Sequence, residues 1–165
     1  DERGVLAMLA ERAADLDDTL RRTGGAKEFG VRVSGDQAAL AAAAEAADST
    51  LVDLEEQAAT APPGQAYLLR RKLAEARKAA TRDAALRIAN QTHDRLSHEA
   101  RASLARTVAT SNDPGVLLDG VYLVADDTYG SFQSAVTEMI AAYQPSGLRI
   151  DFTGPWPPYH FVRDD

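Results

Sequence analysis

Three histidines are the first residues to weigh for chemistry, because imidazole suits both proton transfer and metal ligation near neutral pH. His93 and His98 stand five residues apart in a stretch of helical character. That spacing sets them about 140° apart around a helix axis, so they do not converge on one ion. His160 has no carboxylate or histidine at ligand spacing beside it. The adjacent acids Asp17-Asp18, Glu55-Glu56, Asp126-Asp127 and Asp164-Asp165 have the pattern of helix starts and solvated faces. Only the fold could bring such groups together as a catalytic carboxylate pair. No calcium loop, nucleophile elbow, P-loop or dinucleotide fingerprint occurs. With no cysteine there is no thiol nucleophile, disulfide framework or zinc–thiolate site. The residues therefore predict no catalytic centre, no metal site and no cofactor.

Two stretches remain that could bind rather than react. The first is "YLLRRK", in which Tyr67 precedes Arg70, Arg71 and Lys72, with Arg77 and Lys78 one turn further on. This is a dense basic cluster in a chain of net charge −7. The overall acidity and the lack of an aromatic platform argue against nucleic acid. They leave pairing with acids of the same chain or with an acidic partner, and these six residues are the partner-binding candidates. The second is "GPWPPYHF". Gly154 tolerates unusual backbone angles, and Pro155, Pro157 and Pro158 fix φ and push their predecessors out of the α region. The run presents Trp156, Tyr159 and Phe161 on a restricted chain, and Pro155-x-x-Pro158 formally matches a proline-rich ligand. Because a strand leads directly into it, the run is expected to pack back as a structural clamp with Trp156 buried.

The elements that must position these stretches follow from periodicity. Leu6, Leu9, Ala13, Leu16 and Leu20 form one stripe of a leading helix that Gly24-Gly25 ends. Phe29, Val31 and Val33 alternate with Glu28, Gly30 and Arg32 as a half-buried strand. Ser34 and Gln37 are placed to form a capping box for an alanine-rich helix starting near Asp36. A short helix follows over 49–60, and "APPG" breaks it. From Gln65 to about Ala105 no glycine or proline occurs, and Leu69, Leu73, Ala76, Ala80, Ala84 and Ile88 make a narrow stripe. A helix of that length would reach roughly 60 Å. Asn90, Gln91 and Thr92 are the candidate break, with Leu96, Ala100 and Leu104 resuming the stripe. Such an arm must project or pair, with the leading helix as its expected partner. A short strand from Arg106, a stronger one over 116–125, a helix carrying Phe132, Val136, Met139 and Tyr143, and a last strand "LRIDFT" complete the chain.

The order β-α-β-β-α-β is the ferredoxin-like plan, here α+β with an antiparallel sheet and a long, coiled-coil-like helical arm. Residues 1–25 are expected to be a leading or linker helix. Residues 26–165 form the domain, with a helical insertion at about 50–105. At 165 residues the chain has room for one core of ordinary size. It has no apolar run long enough to span a membrane and no signal-peptide pattern, so a cytoplasmic protein is expected.

The closing run resembles the signature that ends members of the gas vesicle protein family GvpF/GvpL, a strand followed by "TGPWPPY" and a nearby Phe. "KEFGVRV", "GQAYLLRRK" and "GVYLV" resemble the family in the same order, so the likeness runs from about Lys27 to Val162. It implies a two-domain architecture, of which this chain carries the second, ferredoxin-like domain. It also implies an accessory or minor structural role in gas vesicle assembly, with the shell protein GvpA and other accessory gas vesicle proteins as partners. Composition alone leaves two alternatives: an adaptor docking through its proline-rich end, or a small enzyme with a fold-assembled acidic site.

Overall fold

Residues Phe29, Val31 and Val33, alternating with polar or glycine neighbours, give a strand with one dry face that becomes one of two central strands of a four-stranded sheet. The computed structural model describes residues 2–107 and 115–162. The elements are α1 (Glu2–Glu11), α2 (Ala13–Thr23), β1 (Ala26–Gly35), α3 (Gln37–Ala47), α4 (Thr50–Thr60) and α5 (Pro63–His98). They continue with β2 (Ala102–Thr107), β3 (Val116–Ala125), α6 (Tyr129–Tyr143), a 3-10 turn (Gln144–Ser146) and β4 (Leu148–Trp156). The strand order is β2-β3-β1-β4, and every neighbouring pair is antiparallel. This is the expected ferredoxin-like α+β arrangement, enlarged between β1 and β2 by a helical arm.

Helices α3, α5 and α6 cover one face of the sheet. Val33, Leu118 and Leu148 pack with Ala39 and Leu40 of α3 and with Ala85, Ile88 and Ala89 of α5. Phe29, Val31, Tyr122 and Val124 pack with Leu96 of α5 and with Phe132, Ala135 and Val136 of α6. Alanine on the helices lets them approach closely, and the aromatic rings fill the sheet side. Gly120 makes the room for one of them, because a Cβ there would lie 2.7 Å from the Tyr122 hydroxyl.

Among the described residues no helix packs across the opposite face, whose pairing register sets out three rows. Ala102, Leu123, Glu28 and Trp156 make the first. Leu104, Val121, Gly30 and Thr153 make the second. Asp119, Arg32 and Asp151 lie in the third, with an Arg32–Asp119 ion pair at 3.4 Å.

Several expectations change. The leading segment is two helices, because Arg12 leaves helical geometry between α1 and α2. Asp36, rather than Ser34, caps α3: its carboxylate accepts the Ala39 N–H at 2.7 Å. An acid at the N-cap also favours the positive end of the helix. Helix α5 runs through Asn90, Gln91 and Thr92 without a break. Buried Thr92 satisfies its hydroxyl on the Ile88 carbonyl at 2.8 Å and the Tyr143 hydroxyl at 2.9 Å. The helix stops at His98, so Ala100 and Leu104 leave the stripe, and β2 starts at Ala102, earlier than expected. Much of the turn expected after Arg106 falls in 108–114, outside the described residues. The arm pairs with α3 and α4, its sequence neighbours, rather than with α1 and α2. Leu9, Leu16 and Leu20 accordingly stay exposed, and α2 buries none of its residues.

Candidate partner-binding surface

The arm begins where Pro62 and Pro63 end the α4 turn and start α5, proline being tolerated in the first helical turn. Its first half is anchored on one side only. Ala66 and Leu73 are buried towards α4, where Leu51 and Ala58 are buried in turn. Arg77 lies on that same side. Its guanidinium reaches Glu55 of α4 at 2.9 Å and Glu45 of α3 at 3.6 Å, so its charge is used to join three helices. The spacing of Arg77 from Ala66 and Leu73 already places it on the buried stripe, a signal the charge cluster by itself conceals.

The remaining candidates face solvent. Tyr67 is 68% exposed and Leu68 is 65% exposed. Arg70, Arg71, Lys72 and Lys78 are exposed, and so is Arg82, which lies outside the predicted cluster. Arg71 pairs with Glu75 at 3.5 Å. Among the described residues, no ion pair or side-chain hydrogen bond involves Arg70, Lys72, Lys78 or Arg82. Apart from Arg77, the basic cluster is therefore an outward, mostly uncompensated surface.

The proline run is organised differently from the expected clamp. Strand β4 does not end at Thr153. A register shift opposite Glu28 and Gly30 carries it through Gly154 and Pro155, so that Trp156 pairs with Glu28. Gly154 has φ +116°, and a Cβ there would sit 2.9 Å from both the Glu28 carbonyl oxygen and a Phe29 ring carbon. Only glycine fits that approach. Trp156, expected to be buried, is 53% exposed, because strand pairing holds it at the sheet margin instead of under it. Tyr159 is exposed too, and Phe161 is the aromatic that is buried. Beside it the His160 backbone N–H donates to Glu28 Oε2 at 2.9 Å, and His160 Nδ1 lies 2.8 Å from Oε1. Glu28 is only 3% exposed, so the segment ties down a buried carboxylate 132 residues away in sequence. A cavity of about 240 Å³ opens between Lys27, Phe29, Val124, Asp126, Tyr129 and Pro155. The Lys27–Asp126 ion pair at 3.0 Å and the Phe29–Tyr129 stack, with centroids 5.1 Å apart, belong to the residues around it.

The chemistry available elsewhere is structural. His93 Nδ1 meets the Tyr122 hydroxyl at 3.1 Å, and Ser97 meets Ser103 at 2.9 Å, which ties α5 to β3 and β2. Burial pushes the Tyr122 phenol well above its ordinary range. Asp48 goes the other way, its carboxylate held below the usual range by the Thr50 hydroxyl and amide. Among the described residues no group of three or more acidic or histidine side chains is placed to hold a metal ion. No described helix is long and apolar enough to cross a membrane.

The sequence model of the family described as "Gas vesicle synthesis protein GvpL/GvpF" matches residues 1–163. The chain belongs to the GvpL/GvpF family. It is 39% identical over 66 residues to gas vesicle protein F2 of Halobacterium salinarum, a match covering 38% of this chain and 30% of that protein. Its fold is that of two solved structures. GvpF from Anabaena sp. PCC7120 matches with a TM-score of 0.67 and 17% identity, over 100% of this chain and 65% of that one. GvpF from Microcystis aeruginosa matches with a TM-score of 0.61 and 15% identity, over 95% of this chain and 62% of that one. The chain thus spans under two-thirds of the length of these GvpF relatives. Membership of GvpL/GvpF places it in a family described by its part in gas vesicle synthesis.

Proposed function

We propose that this GvpL/GvpF protein acts in gas vesicle assembly by binding the major shell protein GvpA, other accessory gas vesicle proteins, or both. The observation that carries the reading is the family match over nearly the whole chain, 1–163. The surface that supports it is the outward side of α5 around Tyr67, Leu68, Arg70, Arg71, Lys72 and Lys78, exposed and mostly without internal partners. Arg77 belongs to the frame that holds this surface. The role requires no catalysis: a rigid arm holds apolar shell subunits or nucleating complexes apart until they are incorporated. In this reading the protein works in the cytoplasm and at the forming vesicle, and residues 1–25 lead into the 26–165 domain.

The proposal is tested by pull-down of the full chain against the shell and accessory gas vesicle proteins of its own cluster. Retention of at least one of them, lost when Arg70, Arg71 and Lys72 are all reversed to glutamate, is the expected result. No retention of any of them would end it. The proline-rich adaptor reading has the exposure of Trp156 and Tyr159 in its favour. It is weakened by Pro155 being held in β4 and by His160 and Phe161 being fastened to the domain, which leaves no free proline helix to offer.

A further inference from the structure

We propose that the outward strip of α5 is a docking site for an acidic amphipathic helix supplied by a partner protein. This rests on the assembly role above and adds the chemistry of the partner. Tyr67, Arg71, Lys78 and Arg82 follow one another at helical steps of four, seven and four. They therefore line one side of α5, away from Ala66, Leu73 and Arg77. Leu68 and Lys72 stand beside them at the next helical row. The strip is about 22 Å long, about four turns of a docked helix.

Its charge selects the partner. Between Tyr67 and Arg82 the only acid is Glu75, against six basic residues, in a chain whose net charge is −7. Arg77 is taken up by Glu45 and Glu55, and Arg71 shares Glu75. Lys72, Lys78 and Arg82 remain for a ligand of opposite sign. Tyr67 and Leu68 supply the apolar contact, and tyrosine and arginine are the residue types that most often dominate binding energy. A phosphate backbone fits less well: the rest of the molecule repels it, and Tyr67 is a single ring, not a row for successive bases. A helix fits because the side-chain rows of α5 leave grooves between them, into which the side-chain ridges of a second helix can seat.

The test uses the full chain and a fluorescein-labelled synthetic 21-residue amphipathic helix with a leucine face flanked by glutamates. Its lysine-flanked counterpart, a single-stranded RNA oligomer and a peptide of this chain's own residues 2–23 serve as competitors. Fluorescence anisotropy should show binding of the glutamate peptide. The affinity should fall at least tenfold for Arg71→Glu/Lys72→Glu/Lys78→Glu and again for Tyr67→Ala/Leu68→Ala, with unchanged circular dichroism. No binding of the glutamate peptide, or equal binding by the charge-reversed variant, overturns the inference. Preferential binding of RNA, or of the 2–23 peptide, overturns it as well, assigning the strip to nucleic acid or to self-association. If the pull-down with gas vesicle proteins succeeds while the peptide fails, only this inference is lost; if both fail, the assembly role falls too.

Discussion

Trp156 and Phe161 sit five residues apart in one restricted segment and have opposite environments. Phe161→Ala should therefore cost about 3 kcal/mol, as for a buried aromatic. Trp156→Ala should cost under about 1 kcal/mol, as for a side chain left largely in water. Urea unfolding of the two variants checks the contrast, and equal losses would contradict the placement of both rings. Gly154→Ala combines a positive φ with a clash against backbone, and the same titration should show a loss of about 1–3 kcal/mol. Tyr122 gives a pH dependence. An unfolded tyrosine releases its proton near pH 10, whereas the buried phenol retains its proton to higher pH. Above about pH 10 the unfolded state thus binds fewer protons than the native one, and stability falls as pH rises. Thermal unfolding between pH 8 and 11 should show this decline, and Tyr122→Phe should flatten it.

At the scale of elements, α5 is one helix with two environments. Its first half buries Ala66 and Leu73, whereas Ala84, Ala85, Ile88, Ala89, Thr92 and Leu96 bury the second half against the sheet and α6. Amide hydrogen exchange should be slower by at least tenfold over 84–96 than over 65–75, and uniform protection along the helix would contradict the description of an arm. The helix itself was legible in the sequence, because a long run without glycine or proline and with an apolar stripe permits little else. Its end was not. Ala100 and Leu104 continue the helical spacing, but β3 offers Leu104 a strand partner at Val121, and tertiary pairing overrides a local pattern. The extension of β4 to Trp156 was hidden for the same reason. Proline argues against a strand locally, and only the register shift opposite Glu28 and Gly30 makes Pro155 tolerable at a sheet edge. Asp36 competed with Ser34 for the cap, and the acid one residue from the helix prevailed.

For the whole molecule, the alternation and helix signals were sufficient for the ferredoxin-like order, and the run from Gly154 to Phe161 pointed to the family. The candidate surface was only partly legible. A cluster of basic residues shows charge, but which members face water depends on where the neighbouring helices lie, so Arg77 turned inward while Arg82 joined the outer strip. The His160–Glu28 tie could not be seen at all, since no local spacing signals a partner at the other end of the chain. In the proposed role the protein works through surfaces: a small sheet domain, fastened at its terminal segment, holds out a basic arm in an otherwise acidic molecule. The most direct test is vesicle formation in a host carrying the protein's own gas vesicle cluster, with its gene deleted and then restored. Electron microscopy should show vesicles with the unaltered full-length gene and at least a tenfold lower count with Arg71→Glu/Lys72→Glu/Lys78→Glu, at equal protein abundance. Full vesicle counts with the charge-reversed arm would contradict the account.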